Sequence, residues 1–530
     1  MLQRIPNYLL ALISGLLLSI SWFEPFTFLI FFAWVPLLII EDKISNSITY
    51  KRKKLSLTGL SYFAFFIWNI CVTWWIYYAS LEGAAMAIIC NAILMCMVFM
   101  IWHNLKRRLN KAWAIWLLIP LWLGFEYGHT LWDLTWTWLT LGNVFANTHN
   151  WVQWYEFTGT SGGSLWILIV NILLFNIIKS NVYSLKKLIK PLAAISVPLV
   201  LSYIVLLSFS FNQSDKTYKT LLVQPNVDPY NDKFYTEPEV QLQKLLQQIK
   251  GKLDSTIDYL VMPETFLTEN IFEGKESEAL SLNFLKDSIL FKFPDLTIIS
   301  GANTMYTYLP SEKRSSTARK FSDADQYYES YNTGMQYNNT EGITFYHKSK
   351  LVPGVEKMPF PFIFKYFENF AINLGGTMGS LGTQDDRTVF FSHGKKVGIA
   401  PVICYESVYP DYVAQYVRNG ANLIFIITND GWWEDTPGHK QHLAYAKLRA
   451  IETRKEIARC ANTGISCFIT PLGKIEQATP YWKAALISKN MAPNTITTFF
   501  VRYGDLISYV SSIIAVLLFL WSQLLRFKKN

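Results

Sequence analysis

Three short stretches carry side chains with chemical reach. The run Val397–Glu406, VGIAPVICYE, is apolar and β-branched up to Cys404 and then meets the turn-prone Ser407–Pro410. Such a run reads as a buried strand. A cysteine at its carboxyl end, where the chain turns toward a helix, is where an α/β sheet displays a reactive side chain. Tyr259–Phe266, YLVMPETF, is a second apolar strand, ending on Pro263 and Glu264. In Gly342–Glu356, GITFYHKSKLVPGVE, strand alternation puts Lys348 on one face with Thr344 and Tyr346. A thiol ionises near ~8.5 and needs a base or a nearby cation to attack at neutral pH. A carboxylate and an ammonium are those two aids. Singly, each residue has a plainer reading: a core thiol, a carboxylate exposed at a strand end, a solvated edge lysine. The sequence of a Glu-ending, a Lys-bearing and a Cys-ending strand is what sets them apart.

A Cys–His arrangement competes, because His439 and His442 follow Cys404 at a spacing that suits one helix face or a metal pair. No third ligand is obvious, so no metal is expected. His347 should point away from the face that carries Lys348.

The elements that must hold these residues follow from composition. Of 530 residues, 51% are hydrophobic and only 16% charged, below the roughly one quarter usual in soluble domains. The apolar excess lies in 7–210 and 505–525, whereas 215–500 has ordinary soluble composition. Segments long enough to cross a bilayer fall near 7–23, 26–41, 57–79, 83–104, 112–128, 163–179, 191–211 and 505–525. The first lacks a small-residue cleavage site and is read as a retained helix. The net charge of +9 does not argue for nucleic acid, because the basic residues cluster in short loops between spans. With the amino terminus inside, the loops 42–56, 105–111 and 180–190 and the tail after 525 all carry Lys or Arg. The opposite loops, around Glu24, Glu82 and 129–162, carry none. That is the positive-inside pattern, and it puts 215–500 on the outer side. Trp132, Trp136, Trp138, Trp151, Trp154 and Tyr155 crowd the outer loop 131–157, as interfacial anchors or as a lipid-entry surface.

Inside 215–500 the pattern predicts a strand at Lys219–Gln224, a helix over 237–253, a strand at Leu296–Gly301 and a polar loop over 304–334. Met358–Leu374 is apolar and aromatic but interrupted by Pro359, Pro361, Lys365 and Glu368. It reads as a covered loop or as a lid that dips into lipid. Cys460 and Cys467 could pair in an oxidising compartment, and their spacing leaves that open.

The local texts MPET, YHKSKLVP and ICYES, in that order, resemble the nitrilase, or carbon–nitrogen hydrolase, superfamily. With a domain of that kind inserted before the last of about eight membrane helices, the chain resembles the apolipoprotein N-acyltransferase family within it. Gln224–Asn226, Thr428–Trp432 (TNDGW) and Asn462–Ile465 (NTGI) add to the match. One departure is Gly354-Val355 before Glu356, where many members carry Phe-Gly.

The resemblance implies an α/β, nitrilase-like αββα sandwich over 215–500. This would be inserted between seven helices in 1–214 and a last helix with a basic cytoplasmic tail in 501–530. It implies Cys404 as nucleophile, Glu264 as general base and acid, and Lys348 as oxyanion stabiliser, with the Tyr405 backbone N–H as a second donor. Glu356 and Glu406 would be supporting carboxylates that orient Lys348 or the incoming amine. It further implies a phospholipid acyl donor, phosphatidylethanolamine foremost, and an apolipoprotein acceptor, with no cofactor, no nucleic acid and a monomer in the bacterial inner membrane with the catalytic domain in the periplasm. Two other functions are open to the same residues. One is a membrane-tethered amidase or nitrilase-type hydrolase. The other is a non-catalytic transporter or sensor, against which intramembrane charges are scarce, Glu126 being the main exception.

Overall fold

A computed structural model of the chain describes residues 4–47, 49–181, 184–209, 216–233, 235–357, 380–392, 394 and 396–527. The segment 358–374, read above as a lid or a covered loop, lies outside the described residues. The chain folds as two compact units, Met1–Phe209 with Tyr503–Asn530, and Ser210–Arg502.

The first unit is helical. Among the described residues, five helices are long and apolar enough to cross a membrane: Lys53–Tyr78, Leu81–Leu109, Tyr155–Ser180, Leu185–Ser208 and Leu506–Leu524. Asn7–Ile20 and Ala112–Gly128 are shorter apolar helices. The expected span over 26–41 is not one helix. It is a 3-10 turn, Phe26–Phe31, followed by an eleven-residue helix, Val35–Ser45, with proline in its first turn. The break is satisfied from a neighbouring helix: Asn171 accepts the Trp34 N–H at 2.9 Å and donates to the Ile30 carbonyl at 2.9 Å. Non-helical backbone among membrane helices needs such internal partners. The aromatic loop is also less superficial than its composition suggests, since Trp138 and Tyr155 are buried. Tyr155 donates to the Gly142 carbonyl at 2.9 Å, and a methyl group on Gly163 would collide with its hydroxyl.

The second unit is built on two sheets. Strands β1 (Tyr218–Gln224), β2 (Tyr259–Val261), β3 (Leu267–Phe272), β4 (Thr297–Thr307), β5 (Arg319–Lys320), β6 (Tyr327–Asn338) and β7 (Gly342–His347) belong to the first. Strands β8 (Phe390–Ser392), β9 (Val397–Ile403), β10 (Leu423–Thr428), β11 (Ile457–Ala461), β12 (Cys467–Ile469) and β13 (Ile475–Glu476) form the second. The first sheet runs β14-β1-β2-β4-β6-β5, closed by β14 (Ala485–Met491), with β3 added on β4 and β7 on β6. The second runs β13-β12-β11-β10-β9-β8.

Every residue of β9 and β10 is buried. Their uninterrupted apolar runs are what parallel strands covered on both faces require. The sheets face each other: Cys460 Sγ meets the Val223 and Val261 carbonyls at 3.2 and 3.3 Å, and the Tyr259 and Ser392 hydroxyls lie 2.6 Å apart. On the outer face of the first sheet, Leu242, Leu245 and Ile249 of the helix Pro238–Ile249 enter one cluster with Leu221, Leu260 and Ile298. The helices Pro410–Arg418 and Pro437–Thr453 lie against the second sheet. This is an αββα sandwich.

The stretch 304–334 is not a continuous loop. Strand β4 runs to Thr307 and β6 begins at Tyr327, paired antiparallel from Thr307↔Tyr328 to Ile298↔Tyr337. Its Tyr and Thr residues favour strands, and partial exposure of this arm accounts for its polarity.

Cys460 and Cys467 do not form a disulfide. Cys467 is registered opposite Arg459, so Cys460, one residue on, points to the other face of the sheet. Alkylation under denaturing conditions without reductant should therefore label both thiols completely. A pair protected until reductant is added would contradict this register.

Candidate active site

The site forms where strands of both sheets end, the place at which open α/β sheets present ligand-binding groups. Glu264 lies three residues beyond β2, Lys348 directly after β7, and Cys404 directly after β9. The corner carrying Glu264 packs so tightly on β4 that a Cβ on Gly301 would fall 2.5 Å from the Glu264 Cα. Only glycine fits there. Thr265 and Cys404 both hold left-handed backbone, at φ 47° and 49°. For residues other than glycine this conformation costs of order 1–3 kcal/mol and persists only where the surroundings impose it.

Lys348 is 1% exposed, so its charge must be compensated inside the protein. Its ammonium donates to Glu264 Oε1 at 2.8 Å and to Glu356 Oε1 at 2.7 Å. Asn332 on β6 bridges the same carboxylates, donating at 2.8 Å to Glu264 and 3.3 Å to Glu356. The second Glu356 oxygen accepts the Val352 N–H at 2.9 Å. Burial alone would raise the Glu264 carboxyl, but Lys348, Lys233 and Asn332 together hold it below the usual glutamate range. Burial works against the Lys348 charge too, yet the two carboxylates push its pKa well above the ordinary value.

The Cys404 residue is half-buried. Its dense surroundings, and then the negative charge of Glu264, push the thiol far up, against the opposing pull of Lys348. The resting pair is therefore a neutral thiol beside an ionised carboxylate. A thiol held protonated in this way needs a base to take its proton before it can attack, and an ionised carboxylate can serve as one.

Two further residues complete the site and were not marked by the sequence patterns. Asn332 falls inside the stretch expected to be loop. Lys233, 2% exposed, donates to the Glu264 carbonyl at 2.9 Å and to Thr265 Oγ1 at 2.5 Å. Burial lowers its pKa to about 8. It clamps the left-handed corner that aims Glu264, and it adds a second cation next to the carboxylate. Its only signal in the sequence is its place nine residues after Gln224.

The supporting carboxylates divide. Glu356 meets Lys348 directly. Glu406 does not touch the ammonium: its Oε1 accepts from the Ser349 N–H at 2.7 Å, Tyr346 OH at 2.6 Å and Tyr412 OH at 2.7 Å, and its Oε2 from the Ile403 N–H at 2.9 Å. It thus ties the backbone beside Lys348 to the backbone beside Cys404. The Tyr405 ring is buried edge-on against Tyr409. Among the histidines, His347 pairs with Glu273 at 2.7 Å and stacks on Tyr331, away from the site. His439 stacks on Tyr481 and contacts Asp435. His442 reaches the carbonyl of Cys404. Among the described residues no three His, Cys, Asp or Glu side chains converge to hold a metal.

Residues 222–499, just over half the chain, match the carbon–nitrogen hydrolase family model. The chain belongs to that family. Residues 14–173 match the apolipoprotein N-acyltransferase N-terminal domain. An apolipoprotein N-acyltransferase of Chlorobaculum tepidum is 27% identical over 95% of this chain and 94% of its own length. One of Geobacter metallireducens is 24% identical over 97% and 95%. Among solved structures, the nitrilase-superfamily protein Nit3 of Saccharomyces cerevisiae covers 54% of this chain and 93% of its own, at 19% identity and a TM-score of 0.37.

For this member of the family, Glu406→Gln would put an amide N–H2 against a backbone N–H, that of Ile403 or of Ser349, which can only donate. The substitution should cost about 2–3 kcal/mol, read as a lowered apparent melting temperature of the detergent-solubilised protein. An unchanged melting temperature would mean that the carboxylate is not the tie between the two strand ends.

Proposed function

We propose that this chain transfers an acyl group from a phospholipid to the amino-terminal amine of an apolipoprotein through a thioester on Cys404. The observation that carries the reading is the meeting of Glu264 and Lys348 at 2.8 Å where both bear electrostatically on the Cys404 thiol. It occurs in a chain similar to N-acyltransferases along almost its whole length.

Cys404 attacks the donor ester while Glu264 takes its proton. Lys348 stabilises the oxyanion, and the lysophospholipid leaves with the proton from Glu264. The acceptor amine then attacks the thioester, loses a proton to Glu264, and departs as an amide while the thiol is reprotonated. This is covalent catalysis in two half-reactions. Glu356 and Asn332 keep Lys348 in place throughout. The donor of first choice is phosphatidylethanolamine, and the acceptor is a lipoprotein whose terminal cysteine already carries diacylglycerol. The alternation of basic and non-basic loops favours the inner membrane with residues 215–500 in the periplasm.

Incubation with phospholipid should leave an acyl adduct on Cys404 that hydroxylamine releases and that Cys404→Ala abolishes. Adding a diacylglyceryl-cysteine peptide should move the acyl group to its amine. Replacing Lys348 by Met removes one oxyanion donor and should slow adduct formation by about 10²–10³-fold. Free fatty acid with no acylated peptide would point to a hydrolase instead.

A further inference from the structure

Behind Cys404 lies a buried polar chain that the reaction above does not use. Asp430, His442 and Arg459 are at most 1% exposed. Asp430 receives Arg459 on one oxygen and, on the other, the Thr428 hydroxyl at 2.7 Å. The same Oδ1 lies 3.0 Å from His442 Nδ1. On its far side, His442 Nε2 lies 3.1 Å from the Cys404 carbonyl oxygen and 2.9 Å from Ser407 Oγ. Ser407 itself donates to that carbonyl at 2.7 Å.

The Cys404 carbonyl only accepts, so Nε2 must carry a proton to bond it. Ser407, donating to the same carbonyl, presents its oxygen to that Nε2–H as well. The imidazole is held between the nucleophile's own peptide at Nε2 and, at Nδ1, Asp430 together with Arg459, whose Nη2 lies 3.3 Å away. Trp433 covers the ring edge-on at 5.6 Å. The imidazole thus meets the nucleophile through its backbone carbonyl.

The consequence lies on the other end of that peptide. In a trans peptide, C=O and N–H point in opposite directions. Two donors that fix the Cys404 oxygen therefore fix the Tyr405 N–H, aiming it away from His442. Hydrogen bonds to a carbonyl also polarise the attached N–H and strengthen it as a donor. We propose that His442 and Ser407 act as positioning residues, fixing and polarising the Cys404–Tyr405 peptide so that the Tyr405 N–H is a preorganised oxyanion donor. This rests on Cys404 being the nucleophile. It also gives the left-handed φ of Cys404 a purpose, since that backbone turn presents one end of the peptide to the histidine and the other to the substrate.

The test compares two reactions of one sulfur in the full-length protein. Iodoacetamide alkylates a thiol by displacing iodide and develops no oxyanion, whereas acylation by phospholipid passes through one. His442→Ala should slow Cys404 thioester formation about ten- to a hundredfold and Ser407→Ala about tenfold, short of losing the donor outright, while alkylation stays within about twofold. The loss should appear in the maximal rate and not in the donor concentration at half-saturation. Equal losses in both reactions would mean that the histidine merely places the sulfur, and unchanged acylation would mean that the peptide is not its target; either overturns the proposal. Should His442→Ala unfold the domain, Cys460 and Cys467 would become alkylated, and Ser407→Ala then decides alone. A wild-type protein that alkylates at Cys404 but takes no acyl group there would overturn the nucleophile assignment instead.

Discussion

A lysine ammonium cut off from water stays charged only if carboxylates replace the solvent it has lost. Lys348 is such a lysine, and the rest of the site follows from its needs. Glu264 and Glu356 close on it from different segments, Asn332 spans the two, and Lys233 secures the corner from which Glu264 reaches in. The same charges set the chemistry. Glu264 stays ionised because two cations oppose its burial, and the thiol is pushed toward its protonated form by burial and then by the charge of Glu264. In the proposed mechanism, the base and the oxyanion partner are thus both members of one buried ion cluster.

The sandwich makes that cluster possible by ending three strands at one edge. Glu406 contributes to this alignment, because a single carboxylate takes backbone N–H groups from Ser349 and Ile403. The register of Lys348 is thereby locked to that of Cys404. Gly301 does similar work for Glu264 by letting two backbones approach more closely than any side chain would allow.

Cys404 and Glu264 were legible in the sequence because each follows a run whose apolar character marks a buried strand, and Lys348 because strand alternation set it on one face with Thr344 and Tyr346. The sandwich was legible through the family resemblance that the three local texts carry. The residues that serve them were not. Asn332 is hidden in a Tyr-rich stretch whose polarity resembles a loop, although its long antiparallel arm is strand. Lys233 and Arg459 look like solvated charges, because burial comes only from elements distant in sequence. The span over 26–41 misled in the opposite way. Its hydropathy suits a bilayer, but its break is repaired by Asn171, more than a hundred residues away in the chain. Hydropathy averages over a window and cannot register such a partner.

The pH dependence of Cys404 acylation by phospholipid tests the central claim most directly. A carboxylate base whose pKa is lowered keeps its proton-accepting form to more acidic pH than usual. The rate should therefore show no acid limb until pH falls below the ordinary glutamate value of 4.5. An acid limb centred near ~6.5, where histidine titrates, would contradict the account and assign the base to an imidazole.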